Sequence, residues 1–201
     1  TYLYPTYGTY NVTLTALSNQ GCSSTGSQTL AIHPSPGGTV TPVQNGCIND
    51  QVLFNSNISI PATSISSYTW NFGDSTPLMV VNSPTLPAMT PHTYTAYNTY
   101  TVSLSVISTQ NCTYNTDTVI VIYPKPIPGF VSSKFCLNDS TEFTSTSTIP
   151  TGSISSHLWF FNDGVATSTV ANPRHVFSAP NVYTVVLTQS SIKEPGLSCV
   201  N

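Results

Sequence analysis

The feature that most constrains this chain is that it repeats itself. Cys47-Ile-Asn-Asp-Gln-Val-Leu-Phe54 matches Cys136-Leu-Asn-Asp-Ser-Thr-Glu-Phe143, an offset of 136 − 47 = 89. Ser64-Ile-Ser-Ser-Tyr-Thr-Trp-Asn-Phe-Gly-Asp74 matches Ser153-Ile-Ser-Ser-His-Leu-Trp-Phe-Phe-Asn-Asp163 at the same offset, 153 − 64 = 89. Tyr10-Asn-Val-Thr-Leu14 matches Tyr100-Thr-Val-Ser-Leu104 at 100 − 10 = 90, and Tyr183-Thr-Val-Val-Leu187 follows at 183 − 100 = 83. His33-Pro-Ser-Pro36 matches Tyr123-Pro-Lys-Pro126, also at 123 − 33 = 90. Independent anchors at offsets of 89–90, with one at 83, mark a tandem array.

Proline lacks the donor that a strand ladder needs and prefers stiff, extended backbone, so the Pro-rich stretches set the boundaries. Residues 1–36 are expected to be the last two strands of a truncated first repeat, 37–125 one complete repeat, and 126–201 a third repeat lacking its last strand. The chain opens at Thr1 inside a strand pattern and so reads as a piece of a longer array. Within each repeat the apolar period is two: Tyr100, Val102, Leu104 and Val106 alternate with Thr101, Ser103 and Ser105. Thr118 to Tyr123 is a nearly continuous apolar strand. No stretch of ten residues carries helical spacing, so the fold class is all-β: tandem sandwiches of about 88–90 residues each.

Composition narrows the function. Charged residues are only 5% of the chain, against about 25% in ordinary soluble domains. Ser, Thr, Asn and Gln supply the polarity. The four basic residues are Lys125, Lys134, Arg174 and Lys193, scattered and without the cluster that nucleic acid or an anionic membrane surface requires. The longest apolar run, Val119 to Tyr123, is far below the roughly 20 residues that span a bilayer. No nucleophile elbow, zinc-protease helix or phosphate loop is present, and the seven acids form no carboxylate pair suited to glycoside chemistry. The chain therefore reads as non-catalytic.

Trp70-Asn-Phe-Gly-Asp-Ser75 resembles the Trp-Asp-Phe-Gly-Asp-Gly signature of PKD domains, the polycystic kidney disease type. Pro91-His-Thr-Tyr94, followed by Asn98-Thr-Tyr-Thr-Val-Ser-Leu104, is similar to that family's closing motif. The third repeat carries Trp159-Phe-Phe-Asn-Asp-Gly164, Pro173-Arg-His-Val-Phe177 and Tyr183 to Leu187, departing at Asn162, where the family has Gly, and at Phe177, where it has Tyr. The resemblance implies a seven-strand, immunoglobulin-like sandwich used outside the cell as a spacer, adhesive or protein-contact module. The cysteine placement resembles that of Bacteroidetes surface proteins, which implies secretion and a cell-surface setting. Physically, Trp70 and Trp159 suit the space between sheets, and Gly73 with Asp74 suits the turn that follows, as does Asp163. Tyr10, Tyr100 and Tyr183 hold the place of a tyrosine corner. Of the histidines His33, His92, His157 and His175, the pair His92 and His175 lies in the closing motif, where a structural hydrogen bond is expected.

Five cysteines occupy repeat-equivalent places: Cys47 and Cys136 before the second strand, and Cys22, Cys112 and Cys199 after the penultimate one. Such placement points to disulfides and an oxidising compartment. Cys47 with Cys112, inside one repeat, is one pairing. In an immunoglobulin-like sandwich, however, strands of about seven residues at about 3.3 Å each keep those two ends more than 20 Å apart, and bridged Cα atoms lie within about 7 Å. In a head-to-tail array Cys47 would instead meet Cys199, and Cys112 would pair with a cysteine upstream of Thr1.

No cofactor is expected; calcium is an option that the resemblance raises at Asp50, Asp139 and Glu142. Candidate glycan acceptors are Asn11, Asn57, Asn111 and Asn138 in N-linked sequons, and Ser75, Thr118 and Ser140 in Asp-Ser/Thr contexts. The functional expectation is a structural, adhesive region of an extracellular filament or stalk. Its partners would be neighbouring repeats of the same chain, like filaments, or surface glycans and proteins, with neither nucleic acid nor a membrane span. The alternative is a polymer- or protein-binding accessory region of a secreted hydrolase, which the cluster Tyr2, Tyr4 and Tyr7 would serve.

Overall fold

The computed structural model describes residues 1–60, 65–82, 89–164 and 167–201, and regular structure among them is entirely β. Strands β1 (Gly8–Leu17) and β2 (Ser23–Ile32) form a two-stranded antiparallel hairpin, in register from Gly8 opposite Ile32 to Leu17 opposite Ser23. The middle module has two sheets. One has the order β3 (Gly37–Pro42), β5 (Gln51–Ser59), β8 (Met89–Thr93). The other has the order β4 (Gly46–Cys47), β10 (Thr113–Tyr123), β9 (Asn98–Ser108), β6 (Ile65–Asn71), β7 (Met79–Val81). The third module repeats the plan with β11 (Phe130–Ser133), β12 (Ser140–Ser145), β15 (Arg174–Val176) in one sheet. Its other sheet has the order β14 (Thr167–Ser168), β13 (Ser156–Phe160), β16 (Val186–Glu194), β17 (Leu197–Val200).

The chain divides into two compact units, one of Thr1–Thr41, Phe54–Thr90 and Thr101–Thr118, the other of Pro42–Leu53, Pro91–Tyr100 and Val119–Asn201. In the first, Phe54, Trp70 and Phe72 form an aromatic triangle with centroids 5.8–6.0 Å apart, all three side chains buried. The period-two pattern of β9 turns Val102, Leu104 and Val106 fully inward. In the second, Phe143, Trp159, Phe161 and Leu187 form the core of the third module, with Phe130, Phe177 and Val185 against them. Fully burying each such side chain contributes about 1.5–3 kcal/mol.

Two findings refine the sequence reading. The third repeat, expected to lack its last strand, carries β17: Gly196 turns the chain at φ 86°, and Leu197 and Cys199 alternate inward along β16. The Pro-rich linkers are also more than spacers, because Pro34, Pro36, Pro124 and Pro126 are all buried. Their rings serve as core residues where no ladder donor is needed.

At the turn after β6, Gly73 sits at φ 78°, and a Cβ built there would lie 2.4 Å from the Thr101 carbonyl oxygen. Its counterpart Asn162 takes φ 57°, which explains the departure from glycine: Asn is the side chain that best tolerates the left-handed region. Gly73→Ala is expected to destabilise the middle module by about 2 kcal/mol or more. Urea unfolding measures this, with a detectably smaller loss expected for Asn162→Ala.

Candidate functional site

The signature residues build a repeated internal frame. The Tyr10, Tyr100 and Tyr183 hydroxyls donate to the carbonyls of Thr6, Ala96 and Ala179 at 2.8, 2.9 and 2.8 Å, each four residues upstream. One tyrosine thus ties the start of the penultimate strand to the loop before it in all three repeats. Tyr94 stacks on Tyr100 at 4.4 Å and takes the His92 ring edge-on at 4.6 Å. In the third module Phe177 stacks on Tyr183 at 4.3 Å, and His175 is layered on Phe161 at 4.0 Å. His175 Nε2 lies 2.5 Å from Asp163 Oδ2, both side chains almost closed to solvent, so the pair clamps the turn after β13 to β15. In the middle module the Asp74 carboxylate accepts from Thr76 N at 3.1 Å and Thr76 Oγ1 at 2.6 Å. The Trp159 indole donates to the Val170 carbonyl at 2.9 Å. These side chains hold backbone carbonyls, turn amides or one another.

The cysteines make a site of another kind. Cys47 and Cys199 form a disulfide across 152 residues of sequence, with Cα atoms 5.6 Å apart. The within-repeat partner is out of reach, because Cys112 stands just before β10 while Cys47 pairs with Tyr123 at that strand's far end. An 11-residue strand spans roughly 35 Å.

Local structure positions both sulfurs. Cys47 lies on β4, which runs parallel to β10 with Gly46 opposite Ile122. Cys199 lies on β17, opposite Ser191. Both cysteines are buried with Leu197 against Tyr123, so an apolar shell covers the bridge. Polar contacts surround it. The Asn45 amide accepts from Val121 N at 2.8 Å and donates to Glu194 Oε2 at 3.1 Å, which ties the middle module to the hairpin of the third. Lys193 donates to the Thr151 carbonyl at 3.1 Å and lies 5.9 Å from the Tyr123 ring centroid, and desolvation there lowers its pKa. Asn201 donates from its side chain to Pro126 O at 2.9 Å in the linker. Sequence reasoning passed over Asn45, Lys193, Glu194 and Leu197, because none belongs to a repeated motif.

The remaining candidates are spread over the surface. Asp50 pairs with Lys125 at 2.5 Å, Glu142 with Arg174 at 2.8 Å, and Asp139 accepts from Ser140 N at 2.7 Å. The carboxylates considered for calcium are thus met by cations or by backbone; among the described residues no group of three or more His, Cys, Asp or Glu is gathered for a metal ion. Asn11, Asn57, Asn111, Asn138 and Ser75 are exposed, and Thr118 and Ser140 half-buried. Asn111 and Asn138 adopt φ 59° and 60°, so their turns call for Asn whether or not sugar is attached. Cys22, Cys112 and Cys136 are free thiols.

Removing the corner hydroxyl tests the frame. Tyr100→Phe is expected to cost about 1 kcal/mol in a chemical melt, the net value of one such hydrogen bond. Tyr183→Phe, whose hydrogen bond is more exposed, should cost less.

Several solved structures are similar to parts of this chain. The PKD domain of an M14-like peptidase from a Thermoplasmatales archaeon is 20% identical with a TM-score of 0.37, covering 46% of this chain and 96% of its own. Carbohydrate-binding modules of the β-sandwich superfamily are 13% identical with a TM-score of 0.38, covering 77% and 83%. Fibronectin(III)-like modules of Clostridium thermocellum CbhA are 16% identical with a TM-score of 0.35, covering 76% and 83%. The PKD domain family model matches twice, over residues 33–122 and 124–196, which together make up most of the chain. With the tryptophan turns, tyrosine corners and closing motifs in place in both matched segments, the chain belongs to the PKD domain family as a tandem of immunoglobulin-like modules.

Proposed function

We propose that this chain is a load-bearing spacer of an extracellular stalk or filament, in which modules carry tension through covalent joints. PKD domains are accessory or structural modules. The observation that favours the spacer reading is the position of the Cys47–Cys199 bridge. Tension applied at the two ends of the chain enters at Cys47 and leaves at Cys199, so the 152-residue segment between them bears no extension while the bridge is intact. The modules inside that loop are protected from forced unfolding even if their own sandwiches are weak. The same loop closure lowers the entropy of the unfolded chain, worth about 5 kcal/mol in the chain-entropy description.

The near absence of charge fits a spacer whose surface is Ser, Thr and Asn rather than ion pairs. Sugar on the exposed acceptors, Asn11 and Asn57 among them, would keep such a surface apart from its neighbours. One observation supports a second role as a polymer-binding accessory. Tyr2 and Tyr7 are exposed, Tyr2 lies 4.9 Å from Tyr4, and Tyr4 lies 4.4 Å from Tyr10, an aromatic group at the hairpin's base. Co-sedimentation with insoluble polysaccharide, lost in Tyr2→Ala/Tyr7→Ala, would establish that role.

Single-molecule pulling from the two termini tests the spacer reading. The oxidised chain should extend short of its full contour by about 500 Å, the length of 152 residues. Reductant, or Cys199→Ser, should restore that length. Full extension of the oxidised chain would refute the proposal.

A further inference from the structure

The bonded pair has equivalents elsewhere in the chain, in the same local geometry. At Cys47, the Asp50 N–H donates to the cysteine carbonyl at 3.1 Å, the Asn49 N–H donates to Tyr94 O at 2.9 Å, and Asn49 takes φ 64°. At Cys136, the Asp139 N–H donates to the cysteine carbonyl at 3.1 Å, the Asn138 N–H donates to Phe177 O at 3.2 Å, and Asn138 takes φ 60°. The two cysteines thus occupy one backbone frame. One is bonded and buried; the other is a free, exposed thiol between Phe135 and Leu137, 80% and 49% exposed, at the edge of an apolar groove of about 460 Å³.

The second partner type is just as regular. Cys199 stands opposite Ser191, which is fully buried. The tyrosine offset 183 − 100 = 83 maps Ser191 onto Ser108, and 100 − 10 = 90 maps Ser108 onto Ser18. Ser108 N donates to Cys112 O at 2.9 Å and its hydroxyl accepts from Cys112 N at 3.1 Å; Ser18 and Cys22 show the same two bonds at 2.9 and 3.1 Å. In the third module the serine and cysteine are 199 − 191 = 8 positions apart, against 112 − 108 = 4 in the second, yet the cysteine still stands opposite the equivalent serine. Every hairpin therefore presents a thiol at one place, and Cys47 and Cys136 are the two residues built to receive one.

We propose that Cys136 is the acceptor of a further inter-module disulfide, formed with a hairpin cysteine of the Cys22/Cys112 type. The inference rests on the spacer reading and names the rule by which joints propagate: the cysteine before the second strand of one module bonds the hairpin cysteine of another. In solutions of this chain the donor is a second copy. The chemistry is thiol–disulfide exchange with an oxidised small-molecule disulfide such as glutathione disulfide. The hairpin thiolate first displaces one glutathione thiolate, and the Cys136 thiolate then attacks the hairpin sulfur and expels the second. Two protein thiols become one disulfide, and one glutathione disulfide becomes two glutathione thiols.

The experiment is oxidation of the purified chain in a glutathione redox buffer, followed by a non-reducing gel and peptide mapping. Covalent oligomers are expected, with Cys136 linked to Cys22 or Cys112 in several-fold excess over Cys136–Cys136 and Cys22–Cys22 links. Cys136→Ser should reduce the oligomers several-fold, as should the Cys22→Ser/Cys112→Ser double variant, while the Cys47–Cys199 peptide persists as the sign of an intact fold. Like-with-like links in equal yield, or Cys136 recovered only as the thiol or the glutathione adduct, would overturn the proposal. Those outcomes leave the pulling length of the Cys47–Cys199 loop untouched, so this inference and the spacer reading fail separately.

Discussion

The joint of this molecule depends on one constraint, that two cysteines can bond only where their Cα atoms come within about 7 Å. Cys47 and Cys199 meet at 5.6 Å because the end of β10, the short parallel strand β4 and the last hairpin of the chain converge on one spot. Around the bridge, Asn45 satisfies Val121 and Glu194 together, and Leu197 closes the apolar side. A covalent link, a bridging amide and a buried leucine act on the same few residues.

Inside each module the stabilising logic differs, because charge contributes so little. All four basic side chains have a partner: Lys125 on Asp50, Lys134 and Arg174 on Glu142, and Lys193 on a carbonyl. Ion pairs as exposed as Arg174–Glu142 contribute at most about 1 kcal/mol. Aromatic packing is the larger quantity. Phe54, Trp70 and Phe72 in the middle module have direct equivalents in Phe143, Trp159 and Phe161, and each trio is buried. Leu14, on β1, is 75% exposed, and its repeat equivalent Leu104, on β9, is fully buried.

Much of this was legible in the residues. Period-two alternation gave β9 its inward face, the tryptophan-turn motif marked the inter-sheet ring, and the tyrosine spacing located a hydrogen bond that recurs in all three repeats. These features are local, acting over four to ten residues, and local chemistry is what a single sequence displays. Asn162 shows the same locality, since a left-handed turn position accepts Asn in place of Gly whatever surrounds it. Harder to read were Asn45, Lys193 and Glu194, because polar residues outside a repeat carry no signal until the elements they bridge are brought together.

The sequence by itself determined the module: its repeat length, its all-β class, the frame of tryptophan, tyrosine and turn residues, and the equivalence of the five cysteines. Strand length and head-to-tail order already pointed to Cys47 with Cys199; tertiary structure brought the two within bonding distance, added a four-residue strand after Gly196, and buried the linker prolines. The physical reason is range. Alternation, turns and corners are set by neighbours along the chain, whereas the bridge joins residues 152 apart and forms only where folded strand ends meet.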